Sequence, residues 1–178
     1  MDAKDTVKAG GLSAGMVILI IVAIMIIGGS ARKGNAPVSP DTNQQTVTET
    51  NEQLPFTRLL TTPNGGKVAV RVADTDHTRQ LGLSGFSSLP SNQGMLFVFQ
   101  NPGMYPFWMK NMRFSIDIIW MTTIAPGQYR VNSVAENISP ATYPSTINQG
   151  TLPADAVLEI PAGQSRNLGI QAGSIITY

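Results

Sequence analysis

The chain contains no cysteine and a single histidine, His77. The first absence excludes disulfides, thiolate catalysis and Cys-ligated zinc or iron–sulfur centres; the second excludes a histidine cluster for zinc. Charge is scarce as well. Charged residues make up 13% of the chain, with 12 Lys+Arg against 11 Asp+Glu and a formal net charge of +1. No cationic stripe marks a nucleic-acid surface, so no nucleic-acid partner is expected, and no acidic run marks an activation tail. There is no internal repeat and no βαβ alternation. Serine, histidine and aspartate are all present, but no Gly-x-Ser-x-Gly elbow sets a nucleophile, and Ser84 between Leu83 and Gly85 does not supply one.

What the amino-terminal third has instead is one long apolar run. Gly10 to Gly29 carries no charge between Lys8 and Arg32 and has about the length that crosses a bilayer. A spanning signal-anchor is expected there, after a tail over 1–9. The alternative is a cleaved signal peptide, since Gly28, Gly29, Ser30 and Ala31 are small enough for a cleavage region. Lys4 and Lys8 on one side nearly balance Arg32 and Lys33 on the other; the free amino group tips the expected orientation toward an inside amino terminus and an extracytoplasmic domain. The expected location is therefore the cell membrane, single-pass. Residues 30–53 are rich in Asn, Gln, Thr and Pro, with no aromatic, and are expected to form a polar, disordered linker.

From Leu54 to Tyr178 the pattern changes to short apolar segments between turns, expected as one globular domain. Phe56 to Thr61 and Lys67 to Ala73 flank Pro63-Asn64-Gly65-Gly66 as a hairpin. Asp74-Thr75-Asp76 caps a helix of one or two turns through Leu81. Further strands are expected at Gly94–Phe99, with Pro102-Gly103 as a turn, then within Tyr105–Met121, at Tyr129–Glu136, at Ala156–Ile160 and at Ser174–Tyr178. Ser165 can cap a helical turn over Arg166–Leu168. The fold class expected is mostly β with short helices, a compact antiparallel barrel-like or sandwich domain.

Within it, Phe107 to Met121 (FWMKNMRFSIDIIWM) sets one carboxylate, Asp117, in an apolar run between two tryptophans. Alternation places Asp117 with Ser115, Ile119 and Met121 on one face, and Ile116, Ile118 and Trp120 on the other; both faces read as buried. A buried carboxylate needs a partner, and Lys110, Asn111 and Arg113 stand just upstream across a tight reversal. The expected binding residues are Trp108, Lys110, Asn111, Asp117 and Glu159. Trp108 can stack on a ring or fill the core; Lys110 and Asn111 can hold an anionic or polyhydroxyl ligand. Asp117 is either a raised-pKa acid or base or a structural bend. Glu159, inside AVLEI, invites the same question, the alternatives being that it points outward or pairs with an arginine. Met95, Met104, Met109, Met112 and Met121 read as gap-fillers rather than a soft-metal site, Asn137-Ile138-Ser139 is a bare sequon, and no metal or cofactor is expected.

Taken in order, Val72-Ala73-Asp74-Thr75, Leu81-Gly82-Leu83-Ser84, Gly94-Met95-Leu96-Phe97-Val98-Phe99, Phe107-Trp108-Met109-Lys110-Asn111, Asp117-Ile118-Ile119, Tyr143-Pro144, and Val157-Leu158-Glu159 with Pro161-Ala162-Gly163 closely resemble the bacterial and archaeal family called domain of unknown function 192, or UPF0127. The likeness runs from about Lys67 to Tyr178. It implies a β-rich domain, often preceded by a signal or membrane segment, with no established activity. The family often has an arginine where this chain has Gly85-Phe86, and Gly-Asp where it has Gly173-Ser174; Arg79 and Arg113 are the residues that can replace such a charge. The expected function is extracytoplasmic binding of a small polar ligand, a saccharide or an envelope protein. The alternatives are an acid/base hydrolase using Asp117 and Glu159, and a purely structural domain.

Overall fold

The computed structural model of the chain describes residues 51–148 and 150–178. The expected tail, the apolar segment Gly10 to Gly29 and the linker up to residue 50 lie outside the described residues; among those described, no helix is long and apolar enough to cross a membrane. Asn51, three residues before the expected domain start, is already packed. Asn51 is buried, and its side-chain amide donates to the Thr78 and Gly82 carbonyls at 2.8 and 2.9 Å.

Nine strands and two short helices follow: β1 Phe56–Thr61, β2 Lys67–Ala73, α1 Asp76–Leu81, β3 Gln93–Gly103, β4 Phe107–Trp108, β5 Ile116–Ala125, β6 Gln128–Ile138, β7 Thr146–Ile147, β8 Ala154–Pro161, α2 Gln164–Asn167 and β9 Ile175–Thr177. Seven of them close a barrel in the order β1-β2-β3-β8-β5-β6-β9, and β4 pairs with β7 outside it. The expected hairpin of β1 and β2 is present in register Leu60↔Val68, its turn closed by Gly65 at φ 85°. Thr75 caps α1 and Gly82 ends it.

Two details differ from the sequence expectation. β3 continues through Pro102 and Gly103, where a turn was expected. And β2 pairs with β3 in parallel, Val70↔Gly94 and Val72↔Leu96, so the sheet is not wholly antiparallel. Parallel neighbours require a crossover, and the connection from Asp74 to Asn92 provides it; with only six helical residues in α1, it does not read as a βαβ unit in the sequence.

The pleat sends alternate residues to opposite faces. Leu60, Val68, Val70, Leu96, Ile119, Met121, Leu158, Ile160 and Ile176 fill the barrel. Met95, Phe97, Ile116, Ile118, Trp120 and Val157 face outward, yet they are also buried, under Leu83, Phe86 and Met109. The alternation expected for β5 is therefore observed, with both faces covered. This outer layer positions the site. Phe107 stands edge-on to Phe97 and to Trp120, with centroids 5.0 and 6.0 Å away, and the Trp120 indole donates to the Tyr105 carbonyl at 2.9 Å. Those contacts hold β4 against the barrel wall, and Trp108, next along, turns outward.

Candidate functional site

The five expected site residues separate into two places. Asp117 is fully buried, lines no described cleft and has no ion-pair contact among the described residues; the Arg166 guanidinium of α2 feels its charge only at a distance. The Asp117 Oδ1 accepts from the backbone N–H of Asn137 (2.8 Å) and Gly163 (3.0 Å), and its Oδ2 from the N–H (2.9 Å) and the hydroxyl (2.7 Å) of Ser165. These donors stand where Lys110, Asn111 and Arg113 were expected. The correction has a physical cause: Gly163, left-handed at φ 80°, gives α2 no side-chain cap, so a carboxylate from β5 satisfies the helix's free N–H groups instead. Ser165 is thus a donor to Asp117 rather than the cap. Asn137, at φ 55°, turns its N–H inward to the same oxygen that Gly163 uses. One acid ties β5 to the end of β6 and the start of α2, which is structural work.

Asn111 also takes a backbone role. It sits at φ 59° in the turn after β4, a conformation that asparagine tolerates better than most residues, and the turn closes with Met112 N–H donating to the Met109 carbonyl at 3.2 Å.

Trp108, Lys110 and Glu159, by contrast, line one cleft. Its walls are the end of α1 with the following turn, from Arg79 to Ser84, and the segment of Trp108, Lys110 and Met112; Phe97, Phe107 and Glu159 complete it. The volume is about 40 Å³, room for one small polar group or a few waters rather than a whole ligand. Trp108 is 53% exposed at the rim, so it is not the core residue that an apolar neighbourhood also allowed.

Glu159 is the unusual group. It is only 4% exposed and sits between Met95 on β3 and Ile118 on β5, on the outer face of the barrel wall but beneath the covering layer, so it neither reaches open solvent nor pairs with an arginine. Its carboxyl has no hydrogen-bond or ionic partner among the described residues. No fully enclosed side-chain oxygen or nitrogen there lacks a partner, so the Glu159 carboxyl must open into the cleft that it lines. Burial alone raises its pKa from the ordinary 4.5 to about 8, with no charged neighbour offsetting it. At neutral pH it is an acid that can donate a proton in a hydrogen bond.

Arg79, considered in the sequence as a replacement charge, does reach the cleft wall, but its guanidinium is engaged: it donates to the Val98 carbonyl at 2.7 Å and to Asp76 at 2.6 Å, and lies over the Phe99 ring. Lys110 is exposed, and its ammonium has no partner among the described residues. Residues 80–84, Phe97 and Met112 were not expected at the site. The Leu-Gly-Leu-Ser segment was visible as a family feature, but nothing local in it signals a ligand wall.

Residues 59–178 match the domain of unknown function 192 family, described as Uncharacterized ACR. No curated protein matches the chain. Two solved structures are similar. One, from Sinorhizobium meliloti 1021, carries a conjectural description as a transcription regulator; it is 27% identical, with a TM-score of 0.58 over 66% of this chain and 88% of its own. The other, a protein of unknown function from Novosphingobium aromaticivorans DSM 12444, is 29% identical, with a TM-score of 0.59 over 67% of this chain and 82% of its own. With the family match spanning the barrel, both helices and the cleft, this chain belongs to the domain of unknown function 192 family.

Proposed function

We propose that the chain is a membrane-tethered, extracytoplasmic domain that binds a small polar ligand through the cleft of Trp108, Lys110 and Glu159. The observation that carries this is the Glu159 carboxyl, buried in an apolar wall, without a partner among the described residues, and opening on the cleft. A buried polar group normally has a partner, and this one has only what enters the cleft to serve as one. A ligand polar group supplies that partner, while the exposed indole of Trp108 supplies a flat apolar face for the rest of the molecule, a saccharide ring or an acyl chain alike. Asp117 and Asn111 shape the scaffold around the site. The charge-free run Gly10 to Gly29 and the polar linker support the tether, and the near balance of charges gives no reason to carry a regulator's nucleic-acid partner over to this chain.

Thermal-shift screening of the full chain against small polar molecules tests the cleft. Hits should raise the melting temperature of the wild type and do so less in Trp108→Ala and Glu159→Gln; hits that stabilise both variants as they do the wild type rule the cleft out. Protease added to intact cells tests the placement, since an extracytoplasmic domain is digested without permeabilisation.

A second function is favoured by one observation. An acid with a pKa of about 8 suits proton transfer near neutral pH, so Glu159 acting alone is the acid/base group of an enzymatic alternative. Asp117 has no part in it, its four acceptor sites being occupied. Turnover of a hydrolase substrate that disappears in Glu159→Gln separates catalysis from binding.

A further inference from the structure

The chemistry of the cleft narrows the ligand further, on the assumption that the cleft is the binding site. We propose that the group entering it is a carboxylate, one oxygen accepting the Glu159 O–H and the other facing the Lys110 ammonium.

Four observations converge on this class. Among the described residues, the cleft contains one carboxyl without a partner and, on its rim, one ammonium without a partner, so a ligand group must answer a neutral donor and a single positive charge. The one other charged residue in the lining, Arg79 of α1, is already answered by Asp76. The strands flanking Glu159 present only Met95 and Ile118, so no cation inside the wall draws its proton away. The volume of about 40 Å³ suits a small planar group.

The competing classes fit less well. A cationic ligand would meet the Lys110 ammonium at the entrance and find Glu159 without charge, because burial keeps that acid protonated at neutral pH. A phosphate carries more charge and more oxygens than one free ammonium and one O–H can answer. A neutral polyol can accept from both groups but leaves the charge of the ammonium uncompensated. A carboxylate matches both groups at once, and acid-to-carboxylate hydrogen bonds are among the strong ones.

The test follows the Trp108 indole N–H by NMR in the full-length chain, at constant ionic strength, during titration with sodium acetate, inorganic phosphate, glycerol and methylammonium chloride. Acetate is expected to shift that signal saturably. Lys110→Ala should weaken acetate by about tenfold or more, the loss of one charge-assisted contact. Above pH 8 acetate affinity should fall about tenfold per pH unit as Glu159 ionises, and in Glu159→Gln that dependence should vanish. Signal dispersion in each variant checks that it has folded. If glycerol, phosphate or methylammonium saturates and acetate does not, the carboxylate assignment is wrong while the cleft stands. If none of the four moves the Trp108 signal, the cleft itself is not the binding site.

Discussion

Asp117 and Glu159 lie on adjacent antiparallel strands one step out of register, and so point to opposite faces of one sheet. Asp117 stands across from Ile160, and Glu159 across from Ile118. That offset separates a carboxylate that builds the fold from a carboxyl that faces the cleft, and it does not favour the alternative of a two-carboxylate hydrolase, whose paired groups would have to share a face.

Asp117→Asn should therefore lower stability without touching the cleft. The amide would turn its NH₂ toward donors that now meet carboxylate oxygens, at Gly163 and Asn137 or at Ser165. The expected loss is roughly 2–4 kcal/mol in denaturant unfolding. A variant as stable as the wild type would contradict the capping role.

Glu159 makes a pH-dependent contribution of the opposite kind. Its folded pKa of about 8 lies above the ordinary 4.5, so the folded state holds the proton more tightly. Stability is then greatest below pH 4.5, falls as the pH rises toward 8, and levels off beyond. The accumulated loss is on the order of 3–5 kcal/mol. Glu159→Gln, which cannot ionise, should lack that decline, and urea unfolding at pH 5 and pH 8 compares the two proteins directly.

The two tryptophans should behave as opposites. Trp120 is fully buried, with its indole N–H bonded and its ring against Phe107, so Trp120→Ala should cost roughly 3–5 kcal/mol. Trp108→Ala at the exposed rim should change stability by less than about 1 kcal/mol while reducing ligand-induced thermal shifts. Equal stability losses in the two variants would place Trp108 in the core.

Gly94 lies where β3 passes β8 most closely. A Cβ there would stand 2.7 Å from the carbonyl oxygen of Glu159 and 3.0 Å from Ile160, so Gly94→Ala must push the two strands apart. A loss of roughly 1–3 kcal/mol is expected, with a displaced Glu159 titration as its second signature.

Much of this architecture is legible in local pattern. Val68, Val70 and Val72 alternate against polar neighbours, and β2 occupies the residues that the alternation marks. Ile116 to Met121 reads as buried on both faces, and it is. The family resemblance, too, is matched over residues 59–178. What local pattern does not carry is partnership across the chain. The donors to Asp117 lie 20 to 48 residues away, at Asn137, Gly163 and Ser165, and most of them are backbone N–H groups that any sequence possesses. The nearer Lys110 and Arg113 look like the obvious neutralising groups only because side-chain charge is visible in a sequence and backbone polarity is not. Glu159 misleads for a related reason: its period places it in the wall, but the opening beside it is formed by α1 and the turn after β4, which approach only in three dimensions.

The most direct measurement is the side-chain carboxyl ¹³C signal of Glu159, followed against pH in the full-length chain with and without acetate. A midpoint near 8 that moves upward when acetate is added is the predicted result, since a bound anion favours the protonated acid. A midpoint in the ordinary range of glutamate, unmoved by acetate, would contradict the account.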